Sequence, residues 1–221
     1  MEQLQAIDEG ILFFCENHHS PIGNIVMAFA TRLGNPAIMF SIMGAIAMLF
    51  WLAGRRRTAL ILLLASLLGP AIGQGIKYVI RRERPDVAWR LIDRPKSPSF
   101  PSGHALNTMA LYGAVALLTS RHLRRRIARV AVLVVGFLLP MLIGMSRVYL
   151  GVHYPSDVLA GWTGGLACAL LILWADQRWG DPERFAPSLS FSSELKPPAP
   201  SAAVSEGIRP AGEVTGVREP D

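Results

Sequence analysis

Five stretches of this chain are apolar for long enough to cross a bilayer, and that property restricts the fold more than any other. They fall at residues 35–53, 58–78, 104–120, 127–145 and 156–175. A spanning helix needs roughly 20 mostly apolar residues. In lipid only helices and closed barrels satisfy their own backbone hydrogen bonds, and unbroken runs of this length predict helices. The third run is short; residues just ahead of His104, or local tilt and thinning, make up its length. Composition agrees, with 51% hydrophobic and 17% charged residues, too apolar for an ordinary soluble domain. The expected fold is all-α, a polytopic membrane bundle of about five transmembrane helices.

Three regions follow. Residues 1–34 carry apolar positions at helical spacing (Leu4, Ile7, Ile11, Phe14, then Ile25, Val26, Phe29), interrupted at His18 to Pro21. This pattern predicts two N-terminal helices lying in the membrane interface. Residues 35–178 form the transmembrane domain. Residues 179–221, rich in Pro, Ser and Ala, are expected to be a disordered tail. The first run does not read as a cleaved signal peptide, because Asp8, Glu9 and Glu16 precede it where a basic stretch belongs.

The net charge of +6 raises nucleic acid as a partner, but the basic residues cluster in loops between apolar runs. Phosphate groups and lipid headgroups are the expected anions there, with the bilayer and no nucleic acid as partners. Small residues four apart, Gly69 with Gly73 and Gly161 with Gly165, permit close helix approach. Pro140 predicts a kink. Cys15 and Cys168 are read as packing residues, not a disulfide.

An odd number of spans divides the loops between two faces. Arg55, Arg56, Arg57, Arg121, Arg124, Arg125 and Arg126 share one face with the tail and mark it as cytoplasmic. The opposite face also carries cations, including Arg81, Arg82, Arg90, Arg94 and Lys96. Discounting Lys77, Arg84 and Arg147 as retained for chemistry tips the balance toward an active face outside the cytoplasm.

Three polar clusters fall on that second face. The first is Lys77 with Arg84-Pro85; viewed alone, Lys77 is equally a lysine that snorkels to the headgroups. The second is Pro101-Ser102-Gly103-His104, directly ahead of an apolar helix. Ser102 there is a helix cap, and the free N–H groups with Gly103 beside them form an anion site. The third is Ser146-Arg147, His153 and Asp157. A carboxylate four residues beyond a histidine reaches its ring, fixes the tautomer and stabilises an imidazolium. His18 and His19 read as a solvated loop and His122 as part of a basic loop. Trp51, Trp174 and Trp179 read as an interfacial belt, and Trp89 lies in the active-face loop, in reach of a lipid chain.

Lys77-x6-Arg84-Pro85, Pro101-Ser102-Gly103-His104 and Ser146-Arg147-x5-His153-x3-Asp157 together resemble the three-part signature of the type 2 phosphatidic acid phosphatase (PAP2) superfamily, matching in order and spacing. The resemblance covers roughly residues 58–175. It implies the helical core shared with vanadium haloperoxidases and a catalytic role for the transmembrane domain. It also implies His153 as the nucleophile that forms a phosphohistidine, Asp157 as its positioning partner and His104 as general acid. Lys77, Arg84, Ser102, Gly103 and Arg147 are implied to bind the phosphate. Three cations with helix-end amides suit the charge of a phosphoryl transition state, so neither metal nor other cofactor is expected.

The expected function is hydrolysis of a lipid phosphate or pyrophosphate. Undecaprenyl pyrophosphate is the first choice, beside phosphatidic acid and phosphatidylglycerol phosphate. The alternatives are a phosphatase for a soluble phosphate ester and a phospholipid carrier without turnover. A carrier has no use for two histidines with an aspartate behind one of them.

Overall fold

The computed structural model describes residues 2–179; the expected tail, apart from Trp179, lies outside the described residues. Seven helices and no strand occur among them. They are α1 (Glu2–Asn17), α2 (Pro21–Leu33), α3 (Pro36–Leu52), α4 (Arg56–Ile80), α5 (Gly103–Ser120), α6 (Arg126–Tyr149) and α7 (Pro155–Trp179). The last four overrun the predicted apolar runs by a few residues at their ends, because polar residues there still continue the helix.

Helices α2 and α3 start from side-chain caps. Ser20 accepts from the Gly23 amide and Asn35 from the Ala37 amide, with proline at the first helical position in each. Helix α4 ends on Arg81 in the left-handed region, φ 49°. Glycine usually holds that position. This turn sends the chain away from the helix axis and into the segment that carries Arg82 and Arg84.

Three helices, α4, α6 and α7, are long and apolar enough to cross a membrane. The pair α2–α3, bent by 54°, makes a fourth when taken as one broken span. Their outward faces expose Leu60, Leu64 and Leu67 on α4, Val134, Val135 and Leu138 on α6, and Leu159, Leu170 and Leu171 on α7. Apolar surface on that scale needs a lipid solvent.

Helix α5 has a different role from that predicted for an ordinary span. It packs against α4, α6 and α7, and Ala105, Leu106, Ala110, Leu111, Ala114 and Leu118 are all buried. A helix enclosed by its neighbours has no need of a lipid-facing stripe and can be apolar all round. Its contact with α7 is made through glycine. A Cβ on Gly161 would lie 2.8 Å from the Ser102 carbonyl oxygen, and one on Gly165 would lie 2.5 Å from that of Leu106. The predicted small-residue spacing thus marks a seam where two backbones touch.

The chain directions bring four helix ends together: the last turns of α4 and α6 and the first turns of α5 and α7. The opposite end is tied by buried Asp176, which accepts from the Thr58 hydroxyl at 2.9 Å and faces Arg121 at 3.6 Å. His122, read as a member of a loose basic loop, contacts the Arg55 guanidinium there. Cys15 and Cys168 are both free thiols.

Candidate active site

The segment between α4 and α5 folds back over the four joined helix ends and carries Arg84 into them. Arg84 is held from three sides: Nε donates to the Ser97 carbonyl at 2.8 Å, Nη2 to the Ser97 hydroxyl at 3.2 Å, and Nη1 to the Val152 carbonyl at 2.8 Å. Burial, with Arg94 nearby, lowers its pKa to about 10, so it stays cationic at neutral pH. Lys77, one turn before the end of α4, does not snorkel. It is buried, and its ammonium donates inward to the Pro98 carbonyl.

His153 stands in the turn between α6 and α7, buried, with both ring nitrogens occupied. Nε2 lies 2.9 Å from Arg84 Nη1, while Nδ1 lies 3.3 Å from the Ser99 hydroxyl and 3.4 Å from Asp157 Oδ2. An arginine nitrogen only donates, so Nε2 must be the accepting nitrogen and Nδ1 bears the hydrogen. Burial, reinforced by Arg84 and Arg147 and opposed by Asp157, lowers the ring's pKa to about 3. The imidazole is therefore neutral at pH 7, the protonation state a nucleophile requires, with its Nε2 lone pair engaged by Arg84.

Asp157 is held more tightly than its spacing from His153 suggests. Oδ2 accepts from the Tyr154 amide at 3.0 Å and from the Ser99 hydroxyl, and Oδ1 accepts from Arg82 at 2.7 Å. The bond from Tyr154, the residue before Pro155, is the returning half of a capping box, so one carboxylate both starts α7 and faces the histidine.

At the start of α5 the structure differs from the expected cap. Ser102 occupies the N-cap position, but its hydroxyl makes no capping bond; it is buried and without a partner among the described residues. The Ser102 amide instead donates to the Asp157 carbonyl at 3.0 Å, joining the two helix starts. A Cβ on Gly103 would meet nothing within 4 Å, which leaves open space above the first turn. His104 lies within electrostatic reach of Arg147, His153, Arg84 and Lys77. Arg147, on the last turn of α6, is buried; Nη1 donates to the Thr31 hydroxyl at 2.6 Å and Nε has no partner among the described residues.

The eight predicted residues therefore gather at one end of the bundle, and two buried donors among them, Ser102 Oγ and Arg147 Nε, make no hydrogen bond to the described residues. Among the described residues no group of three His, Cys, Asp or Glu side chains is placed to hold a metal ion.

Sequence reasoning missed Ser99, Thr31 and Arg82. Arg82 had been counted as a loop cation, yet it is bonded directly to Asp157. His19, expected in a solvated loop, donates from Nε2 to the Tyr149 carbonyl at 3.0 Å and packs edge-on against Trp89 at 5.0 Å. Trp89 is thereby engaged in packing, and it lies close over Gly151 as well.

Comparison with known proteins gives a consistent pattern. The PAP2 superfamily matches residues 58–181. Phosphatidylglycerophosphatase B of Bacillus subtilis is 30% identical over 177 residues, 79% of this chain and 86% of that protein. An undecaprenyl-diphosphatase of Sulfolobus acidocaldarius is 30% identical over 146 residues, covering 64% of this chain and 65% of the relative. The crystal structure of a transmembrane PAP2 type phosphatidylglycerolphosphate phosphatase from Bacillus subtilis superposes with a TM-score of 0.73 at 31% identity, over 81% of this chain and 89% of that one.

Proposed function

The chain belongs to the PAP2 superfamily and is an integral membrane phosphatase; on that premise we propose that it hydrolyses a lipid phosphate or pyrophosphate, without a metal, through a phosphohistidine on His153. The observation that carries this reading is the arrangement of His153, with Nδ1 toward Asp157 and Nε2 toward a cation that a phosphate can take over.

The substrate phosphate accepts from Arg84 in place of Nε2, and Lys77, Arg147, Ser102 and the Gly103 amide complete the cradle. Nε2 then forms a bond to phosphorus as the bond to the leaving oxygen breaks, and His104 gives that oxygen a proton. The new imidazolium charge is balanced by Asp157. Water next attacks the phosphohistidine and gives a proton to His104, which frees inorganic phosphate and restores both histidines. Catalysis of this kind rests on positioning and on fixed charge around the transferring group.

The bundle is read as five spans, α3 to α7, with α1 and α2 at the interface and the active end outside the cytoplasm. The arginine-rich loops at the far end support that orientation. The substrate range includes phosphatidylglycerol phosphate, undecaprenyl pyrophosphate and phosphatidic acid, the first two supported by the names of the relatives above.

The test is phosphate release by the purified protein in detergent with EDTA, using that panel of lipids. Wild type retains turnover and His153→Ala loses it while still binding lipid; Arg147→Ala weakens both. Turnover that disappears on chelation, or survives in His153→Ala, overturns the mechanism.

A further inference from the structure

Helix α1 carries four acidic residues, and only one is buried. Glu2, Glu9 and Glu16 are exposed, whereas Asp8 is 1% exposed. A buried carboxylate is costly unless paired and hydrogen-bonded. Asp8 meets that condition on the first turn of α7: Oδ1 accepts from the Ser156 amide at 2.9 Å, and Oδ2 accepts from the Ser156 hydroxyl at 2.5 Å and from Arg82 Nη2 at 2.8 Å.

The Arg82 guanidinium is shared. Its other terminal nitrogen, Nη1, donates to Asp157 Oδ1 and to the Ser156 hydroxyl, each at 2.7 Å, and Arg82 Cζ lies 4.2 Å from the centre of the Tyr154 ring. Asp157 Oδ2 is turned to Ser99, Tyr154 and His153, so Arg82 is the cation that fixes the opposite oxygen. A planar fork can hold two carboxylates at once, which a lysine ammonium does not reproduce. Leu12 is buried one turn along from Asp8, while Leu4, Ile7, Ile11 and Phe14 are exposed on the neighbouring face of α1. One side of the helix therefore faces the nucleophile's support and the other faces outward as an apolar stripe.

We propose that Asp8 and Arg82 are positioning residues for the nucleophile, a buried bridge through which the seating of α1 sets the orientation of the Asp157 carboxylate and thereby of the His153 ring. The inference rests on His153 and Asp157 acting as described above. Both bridge residues act through Asp157, so their loss acts on turnover more than on binding.

The test measures kcat and KM of the full-length protein in detergent on dispersed phosphatidic acid, with thermal melting beside each variant. Asp8→Asn keeps the shape and removes the charge. Its kcat falls by about 10- to 100-fold, the scale on which small misplacement of a catalytic group acts, while KM moves by less than about 2-fold. Asp8→Glu recovers part of the loss. Arg82→Lys, which reaches only one of the two carboxylates, lowers kcat likewise, and Asp8→Asn adds little to it because both act through one bridge.

Wild-type kcat in a folded Asp8→Asn protein, with only the melting temperature lowered, shows that the bridge merely clamps α1 and overturns the proposal. Should Asp8→Asn not fold, Arg82→Lys carries the same test: unchanged kcat refutes the proposal. Turnover surviving in His153→Ala points instead to failure of the underlying mechanism.

Discussion

Gly34, at the end of α2, stands directly against His104: a Cβ at position 34 would lie 2.7 Å from the imidazole Cδ2 and 2.8 Å from Ile143 Cγ2. The backbone there has φ −89°, which any residue adopts. The requirement for glycine is therefore one of space beside the ring.

Gly34→Ala accordingly displaces His104 and not the nucleophile. For a lipid phosphate, whose leaving oxygen needs a proton, kcat falls by about 10- to 100-fold, within the range of general acid catalysis. For p-nitrophenyl phosphate, whose leaving group departs with little protonation, the loss is much smaller. Equal losses on both substrates would contradict the assignment of His104 as the acid.

Ser99 holds the Asp157 carboxylate and touches His153 Nδ1. Ser99→Ala leaves one carboxylate lone pair and the ring hydrogen less well matched. We expect kcat to drop by about 10-fold, equivalent to one hydrogen bond to a charged group, with KM nearly unchanged. Steady-state kinetics on one lipid substrate suffice, and an altered KM with normal kcat is the contrary result.

The buried neutral His153 gives stability a defined pH dependence. Its pKa is lowered on folding from 6.5 to about 3, so between those values the unfolded chain binds a proton that the folded protein refuses. Stability is then fully present above pH 6.5 and falls as the pH drops toward 3. Thermal melting of wild type and His153→Gln at pH 7 and pH 5 isolates this effect: wild type loses more than the variant on acidification. Equal loss in the two proteins would rule it out.

Gly165→Ala places a methyl group against the Leu106 carbonyl and the Ala110 amide, at 2.5 and 3.1 Å. Backbone atoms cannot rotate away as a side chain can, so α5 and α7 must part. Overpacking of this kind costs about 1–3 kcal/mol. A lowered melting temperature together with reduced kcat is expected, since the two helices carry His104 and Asp157. Gly10→Ala, where nothing lies within 4 Å, is the neutral control.

The helices and the principal polar residues were legible because each is announced locally. Apolar runs define α4, α6 and α7, and ionisable residues at their ends are too costly in lipid to be incidental. The motif spacing from Lys77 to Asp157 then grouped them. What escaped were partners far away in the chain: Thr31 meets Arg147 across 116 positions and Asp8 meets Ser156 across 148. A threonine hydroxyl or a lone aspartate on an amphipathic helix has no local pattern that names its partner. Ser102 was misread in detail for a related reason. Its place before a helix predicts a cap, but its hydroxyl makes no capping bond, and its own amide donates to the Asp157 carbonyl at the start of α7.

The glycine seam between α5 and α7 also limits how such a protein can diverge. Where main chain meets main chain, exchanging side chains cannot adjust the separation of the α5 start, with His104, from the α7 start, with Asp157; that spacing is fixed in the scaffold itself. Adaptation to a new headgroup or a longer tail is thereby left to positions off that seam and away from the contacts of Asp8, Thr31 and Gly34.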